Sequence, residues 1–372
     1  MCIRDRAWRS ALKYLAFCVT TGDISLFTWI AVVSMKLGVE KALLSDFSVL
    51  ETANIDAGSI ATFLLIIGFI TKMALVPLHF WLPDAYSVAP PAAAALMSGV
   101  MEKMGLYGIL RVYSLISLDT HVFTALLISL GFLTTVYASL MAAAQTDMRR
   151  LLAYSTIMHC GLLAMLAGLA TMSKFAWSIL MLYVIFHGVS KAQLFLNVGS
   201  VYLLTNTTDV HELGYLAKTD PELYSATILG ASSLMGLPPT LGFAVKALLI
   251  YVAFDIMNVG GMYPLLFLLA VAISSVFGVV YVVKYIGAYV GSLREPSRPT
   301  IRLPKRQILA EQLLGWSAVA LVPLMLVVSL NLFMVLLMAI YLVSVVLLFC
   351  SLYIKAPRTA SLDDVWLGGI TP

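Results

Sequence analysis

Apolar runs of about 20 residues, parted by short polar segments, recur along this whole chain. That is the length a helix needs to cross a bilayer. The runs predict helices at roughly 9–36, 58–77, 90–117, 122–144, 149–171, 175–204, 226–254, 262–291, 308–329 and 332–353. The pattern describes an all-α polytopic membrane protein with about ten transmembrane helices. The stretch Leu313–Lys355 is too long for one span and is expected to fold back near Ser329–Asn331. Polar segments at Glu40–Asp56, Pro83–Ala89, Thr205–Pro221 and Arg294–Arg306 part the spans, and none is long enough to form a second domain. One transmembrane domain over 9–355 is therefore expected, followed by a polar tail at 356–372. Residues 1–8 read as a non-native or truncated start, because Met1–Arg6 (MCIRDR) does not resemble a natural membrane entry.

Composition sharpens the membrane reading. Of the 372 residues 61% are hydrophobic and 11% charged, with a mean hydropathy of +0.97. Soluble domains carry about 25% charge. Basic-aromatic patches that would suit a nucleic acid are missing. The placement of the net charge of +4 says more than its size. When the spans are numbered alternately, fourteen Lys and Arg, from Arg4 to Arg358, fall on the side of the N-terminus. Four (Lys36, Lys41, Lys174 and Arg111) fall opposite. By the positive-inside rule both termini are cytoplasmic. The predicted location is the plasma membrane of a prokaryote.

The four cysteines, Cys2, Cys18, Cys160 and Cys350, have no spacing suited to zinc, an iron–sulfur cluster or a disulfide framework. Neither a Gly-rich nucleotide loop nor a nucleophile elbow is present. No cofactor is expected, and any linked redox chemistry is assigned to another subunit.

One pentapeptide pattern occurs twice. Gly68-Phe-Ile-Thr-Lys72 precedes Pro77 and Pro83, and Gly242-Phe-Ala-Val-Lys246 follows Pro238 and Pro239. A lysine at the centre of a membrane helix costs about 2.5–3.5 kcal/mol on insertion scales. Matched lysines in proline-interrupted helices mark the ion pathway of transporters built from repeats. The two copies lie on the second and seventh predicted spans, five apart and so oppositely directed. This predicts inverted five-helix repeats, each with a broken helix, and transport of protons or sodium.

The segment Lys72–Arg111 (KMALVPLHFWLPDAYSVAPPAAAALMSGVMEKMGLYGILR) resembles the signature of the antiporter-like proton-translocating membrane subunits. These occur in respiratory complex I (NADH:quinone oxidoreductase), in Mrp-type sodium/proton antiporters and in membrane-bound hydrogenases. Asp147–Gly161, His187–Phe195 and Gly236–Lys246 agree with that signature in the same order. The resemblance implies inverted five-helix repeats with broken helices, and a chain that is N-terminally truncated relative to the family. The family helix bearing an acidic partner for the first broken-helix lysine would then be absent. It also implies a chain of protonatable groups joined by water, with Lys72, Lys103, His159, His187, Lys191 and Lys246 as stations.

Each of these residues also has a plainer reading. Lys72 either snorkels to the membrane edge or is a half-buried amine whose proton affinity is switched by a nearby carboxylate. Lys103 and Lys191 lie too deep to snorkel easily and are either statically paired or protonic. His159 and His187 are either structural hydrogen-bonding groups or proton carriers. His187 and Lys191 share a helix face at i, i+4. Asp23, mid-helix in Thr-Thr-Gly-Asp-Ile, must be protonated or paired if buried, and is a candidate partner for Lys72. Glu102 points about 100° from Lys103 on an ideal helix and reads as a local or lipid-edge residue. Asp84 reads as orienting the first break, and Lys284 as a snorkelling cation.

The expected function is a proton-translocating membrane subunit of a complex I-like, redox-driven ion pump. Its expected partners are the other membrane subunits, the lipid bilayer and protons. Sodium is the alternative ion, although several central amines suit protons better than a hard-cation oxygen cage. The rival readings are a subunit of a non-redox multisubunit Na+/H+ antiporter, and a structural membrane subunit that has kept the fold without transport.

Overall fold

A computed structural model of the chain describes residues 3–40, 60–115, 119–214, 216–290, 303–324 and 332–353. Among the described residues there is no strand, and the one extended pairing is an isolated bridge between Asp147 and Asp209. The fold-back expected at Ser329–Asn331 and the tail at 356–372 lie outside the described residues, as do most of the Arg294–Arg306 loop and residues 1–2 of the expected foreign start.

Helix α1 (Ile3–Lys13) runs through a π-helical stretch, Tyr14–Val19, into α2 (Thr20–Leu37). Then come α3 (Ile60–Lys72), α4 (Trp81–Val88) and α5 (Pro91–Leu96). A second π-helical stretch, Met97–Met101, joins α5 to α6 (Glu102–Leu115). The central helices are α7 (Thr120–Ala144), α8 (Met148–Ala170) and α9 (Lys174–Thr205). After them come the short α10 (Leu216–Thr219), α11 (Pro221–Met235), α12 (Leu241–Asp255), α13 (Tyr263–Val290), α14 (Lys305–Ala320) and α15 (Leu332–Tyr353).

Among the described residues five helices are long and apolar enough to cross a membrane: Ala7–Met35, Thr120–Ala144, Met148–Ala170, Lys174–Thr205 and Tyr263–Val290. All five fall where the apolar runs predict them. Their ends are set by local chemistry. The Asp119 carboxylate accepts from the backbone N–H groups of His121 and Val122 at the start of α7. Asp147 does the same for Arg150 at the start of α8 and also accepts from the Thr208 hydroxyl. At the far end of α9, Asn206 takes the left-handed conformation (φ 57°) that closes many helices. Lys284 does not snorkel. Its amine donates to the Ala143 and Gln145 carbonyls at 2.7 and 3.0 Å, satisfying the end of α7 where carbonyls lack partners.

Helix α8 is the axis of the bundle, packed by α4, α6, α7, α9 and α13. Its apolar window is entirely buried, against 39% for that of α13. The approach of α7 to α8 is set by small residues, as is usual between membrane helices. A Cβ at Gly131 would stand 2.5 Å from the Gly161 carbonyl oxygen, and one at Gly161 would stand 2.7 Å from that of Gly131. Helices α2, α3 and α6 form a peripheral group.

Candidate functional site

Both Gly-Phe-x-x-Lys copies sit at a helix break. Lys72 is the last residue of α3, and the chain then turns through Ala74 in the left-handed conformation (φ 54°) before α4 begins at Trp81. The freed backbone groups are satisfied inside the protein, as a break at membrane depth requires. Trp81 Nε1 donates to the Thr71 carbonyl at 3.0 Å, and the Val76 N–H donates to Thr134 Oγ1 at 3.0 Å. Asp84 pairs with Lys13 at 2.5 Å and with Arg150 at 2.8 Å, so it clamps α4 to α1 and α8. This is the orienting role its position beside the break suggests.

The second break is built in the opposite sense. Helix α11 ends at Met235, Gly236 takes φ 83°, and α12 begins at Leu241 with Lys246 in its second turn. Lys246 Nζ reaches back 2.7 Å to the Met235 carbonyl, placing a cation at the negative end of the half-helix before the break. The glycine of each pentapeptide is a contact point. A side chain at Gly68 would strike Ser25 of α2, and one at Gly242 would strike the Ser233 carbonyl of α11.

Lys72 and Asp23 line one cavity of about 700 Å3 between α2, α3 and α6, together with Lys103. They form no ion pair: Asp23 is exposed, and among the described residues Lys72 has no salt-bridge partner. The cavity brings Lys72 and Lys103 to a common space without joining them.

The centre differs from expectation at Glu102. It is fully buried, 3.0 Å from Lys103 Nζ, and it accepts from Cys160 Sγ at 3.1 Å. The lipid-edge reading is therefore corrected. It assumed that the face about 100° from Lys103 meets lipid, but Glu102 and Lys103 are both buried, so both faces of this turn point into protein. The long lysine stem also folds back, donating to Glu102 and to the Ser98 carbonyl. Sequence reasoning had the means to find this residue, because an acid beside a deep lysine in an apolar run is rarely left facing lipid.

Lys191 is fully buried and donates to the Leu152 carbonyl (3.1 Å) and to Ser155 Oγ, both on α8. Glu102 and Lys103 lie close enough for their charges to act on it. The rings of His159 and His187 lie tilted by 37° with centroids 4.7 Å apart. His159 Nδ1 shares a 2.7 Å hydrogen bond with the Tyr183 hydroxyl. Its Nε2, and both ring nitrogens of His187, have no protein partner among the described residues. His159 lies within electrostatic reach of Lys103, Lys191 and Lys246. The structure thus gathers Lys103, Glu102, His159, His187 and Lys191 around α8. Lys72 stands at one flank and Lys246 at the other. These are groups able to bind and release a proton, and the imidazoles keep ring nitrogens without a protein partner among the described residues. Cys18 and Cys160 are buried free thiols, and no group of His, Cys, Asp and Glu among the described residues suits a metal ion.

Comparison with known proteins agrees with this architecture. Residues 3–278 match the family model described as NADH:quinone oxidoreductase/Mrp antiporter, transmembrane. The chain is 38% identical over 192 residues to a Na(+)/H(+) antiporter subunit of Alkalihalophilus pseudofirmus, a match covering 51% of this chain and 38% of that protein. It is 29% identical over 326 residues to NADH-quinone oxidoreductase subunit M of Escherichia coli, covering 86% of this chain and 60% of that one. The chain thus spans only part of the length of these relatives. Among solved structures, the Mrp complex from Dietzia sp. superposes with a TM-score of 0.70 at 21% identity, covering 90% of this chain and 68% of that one, a likeness of fold. Respiratory complex I from Thermus thermophilus gives 0.63 at 26%, covering 87% and 69%. The chain is a membrane protein that belongs to the NADH:quinone oxidoreductase/Mrp antiporter transmembrane family.

Proposed function

We propose that this chain is a proton-translocating, antiporter-like subunit of a complex I-like redox-driven pump, working beside other membrane subunits in a prokaryotic plasma membrane. The observation that carries the reading is the buried string of amines and imidazoles around α8, flanked by one lysine at each helix break. Electron transfer on a partner subunit would change the field near Lys72. The proton on Lys72 would then move toward Lys103, through His187 and Lys191, and on to Lys246. The Glu102–Lys103 pair is the natural switch in that sequence, because it is a buried ion pair lying on the path.

The reading includes ten spans, two inverted five-helix repeats and a start that falls within the family fold. The mirrored positions of Lys72 before its break and Lys246 after its break support the inversion. A non-redox Na+/H+ antiporter subunit is the second reading, favoured by the 38% identity to a protein named as such. Neighbouring genes separate the two: iron–sulfur and quinone or hydrogenase subunits favour the first, small antiporter subunits alone the second.

Lys72→Ala and Lys246→Ala, made in the full-length protein, should each cut proton pumping in vesicles by at least about tenfold at equal folded protein. Pumping within a factor of about two of the unmodified protein would leave these lysines as membrane-edge or capping groups. Both termini should be cytoplasmic. A reporter that is active only outside the cytoplasm, fused after Pro372, should stay dark, and a bright fusion would overturn the span count.

A further inference from the structure

Glu311 lies on α14 and is fully buried, yet the relay does not use it and no cation pairs with it among the described residues. Its carboxylate accepts from Asn197 Nδ2 at 3.0 Å and from the Ser200 hydroxyl, both on α9. Ser200 in turn accepts from Gln307 Nε2 at 2.5 Å. The Asn197 amide has used every position it has. Its nitrogen also donates to Thr227 of α11 at 2.7 Å, and its oxygen accepts from the Tyr285 and Tyr289 hydroxyls of α13 at 2.7 and 2.5 Å. Its orientation is therefore fixed, and with it the side of Glu311 that faces α9.

The cluster has a definite depth. Glu311 is six residues into α14, about 9 Å from its start at 1.5 Å per residue. Asn197 stands eight residues from the end of α9, and Lys191 fourteen, about 12 and 21 Å by the same rise. The group thus sits between Lys191 and the end of the bundle where α9 and α13 finish and α11 and α14 begin. Tyr285 bridges part of the remaining step, since its hydroxyl touches both Asn197 and the Leu194 carbonyl, which lies one turn from Lys191. A carboxylate buried without a cation is costly. Its two oxygens accept from Asn197 and Ser200, which holds the carboxylate, and the Ser200 hydroxyl has a second lone pair that can accept from the neutral acid once a proton is bound.

We propose that Glu311 is a further proton-carrying group, loading protons from the end of the bundle that bears Lys218 and Lys305 toward Lys191, with Asn197 as its positioning residue. The inference rests on the relay reading above. The step is a simple exchange: a proton binds a carboxylate oxygen to give the neutral acid, then leaves inward and restores the carboxylate. No covalent bond to carbon changes and no electron moves. The groups facing Glu311 are Asn197 and Ser200 from α9, Thr227 from α11, Tyr285 and Tyr289 from α13, and Gln307 from its own helix. The charged groups at that end are Lys305 and Arg306 on its own helix, Lys218 on α10, and Asp220 and Glu222 at the start of α11.

The test uses the full-length protein in vesicles, with infrared difference spectra across a pH titration. The carbonyl-stretch band of a neutral carboxylic acid should appear on acidification and be missing in Glu311→Gln. Proton flux in that variant should fall at least about tenfold at equal folded protein. Glu311→Asp keeps the acid one methylene away and should shift the band and recover part of the flux. It carries the test if the glutamine variant does not fold. Lys191→Ala runs alongside. If it loses flux while Glu311→Gln keeps both flux and band, the loading role is overturned and the relay stands. If Lys191→Ala keeps its flux, the relay reading fails, and Glu311 with it unless its own variant is impaired.

Discussion

Substituting Glu102 with alanine should destabilise the full-length protein by about 3–5 kcal/mol, read from thermal or denaturant unfolding in detergent. That is the usual cost of removing one partner of a buried ion pair. Lys103 is 9% exposed and would be left holding the Ser98 carbonyl alone, while Cys160 would lose its acceptor. Loss of stability by itself does not make the pair protonic. The informative variant replaces both partners, as Glu102→Leu with Lys103→Leu. Exchanging a buried pair for apolar side chains is often neutral or stabilising, so most of the lost stability should return. Proton flux should not return, because the station itself is gone. A double variant that recovered both stability and flux would reduce the pair to packing.

The second large effect concerns His187 and Lys191, one helical turn apart on α9. If they are consecutive stations, removing either blocks the same step. The double variant should then lose little more flux than the worse single one, since residues that act as a unit are strongly non-additive. Independent packing residues would instead show losses that add, with flux following the amount of folded protein. A double-mutant cycle on flux, normalised to folded protein, separates these outcomes. The geometry gives the two residues different tasks. Lys191 is anchored to Leu152 and Ser155, whereas the imidazole of His187 is unanchored at both nitrogens.

How much of this was legible beforehand depends on range. The long helices could be placed because a helix crossing a membrane needs a continuous apolar run, and α8 begins and ends one residue from the predicted limits of 149 and 171. The breaks could be placed because Pro238, Pro239 and Gly236 cannot continue a helix. Glu102 was misplaced because the turn carrying it and Lys103 is enclosed by protein on both faces, and rotation along one helix does not show what packs against it. Glu311 was missed for another reason. Its partners Asn197 and Ser200 are more than 100 residues away in the chain, with separations of 114 and 111. Nothing in the local run around it announces that this polar stripe of α9 would meet α14. Asp23 shows the converse. A carboxyl in an apolar run looks as though it must be paired, yet it is exposed at the cavity it shares with Lys72.

The enclosure of α8 bears on how the protein is made. This wholly buried helix has a mean hydropathy of 1.6 across its best window, against 2.6 for the more lipid-facing α13. It carries Ser155, Thr156, His159 and Cys160 on its buried surface. Ser155 and Thr156 donate to the Leu152 carbonyl of the same helix, but His159 and Cys160 find their partners on other helices and, left alone in the bilayer during synthesis, would face hydrocarbon without them. Helices α7 and α9 flank it in the chain and cover two of its sides, so the three must enter the membrane as a group. The groups proposed to carry protons and the difficulty of assembling the fold thus lie on the same helix.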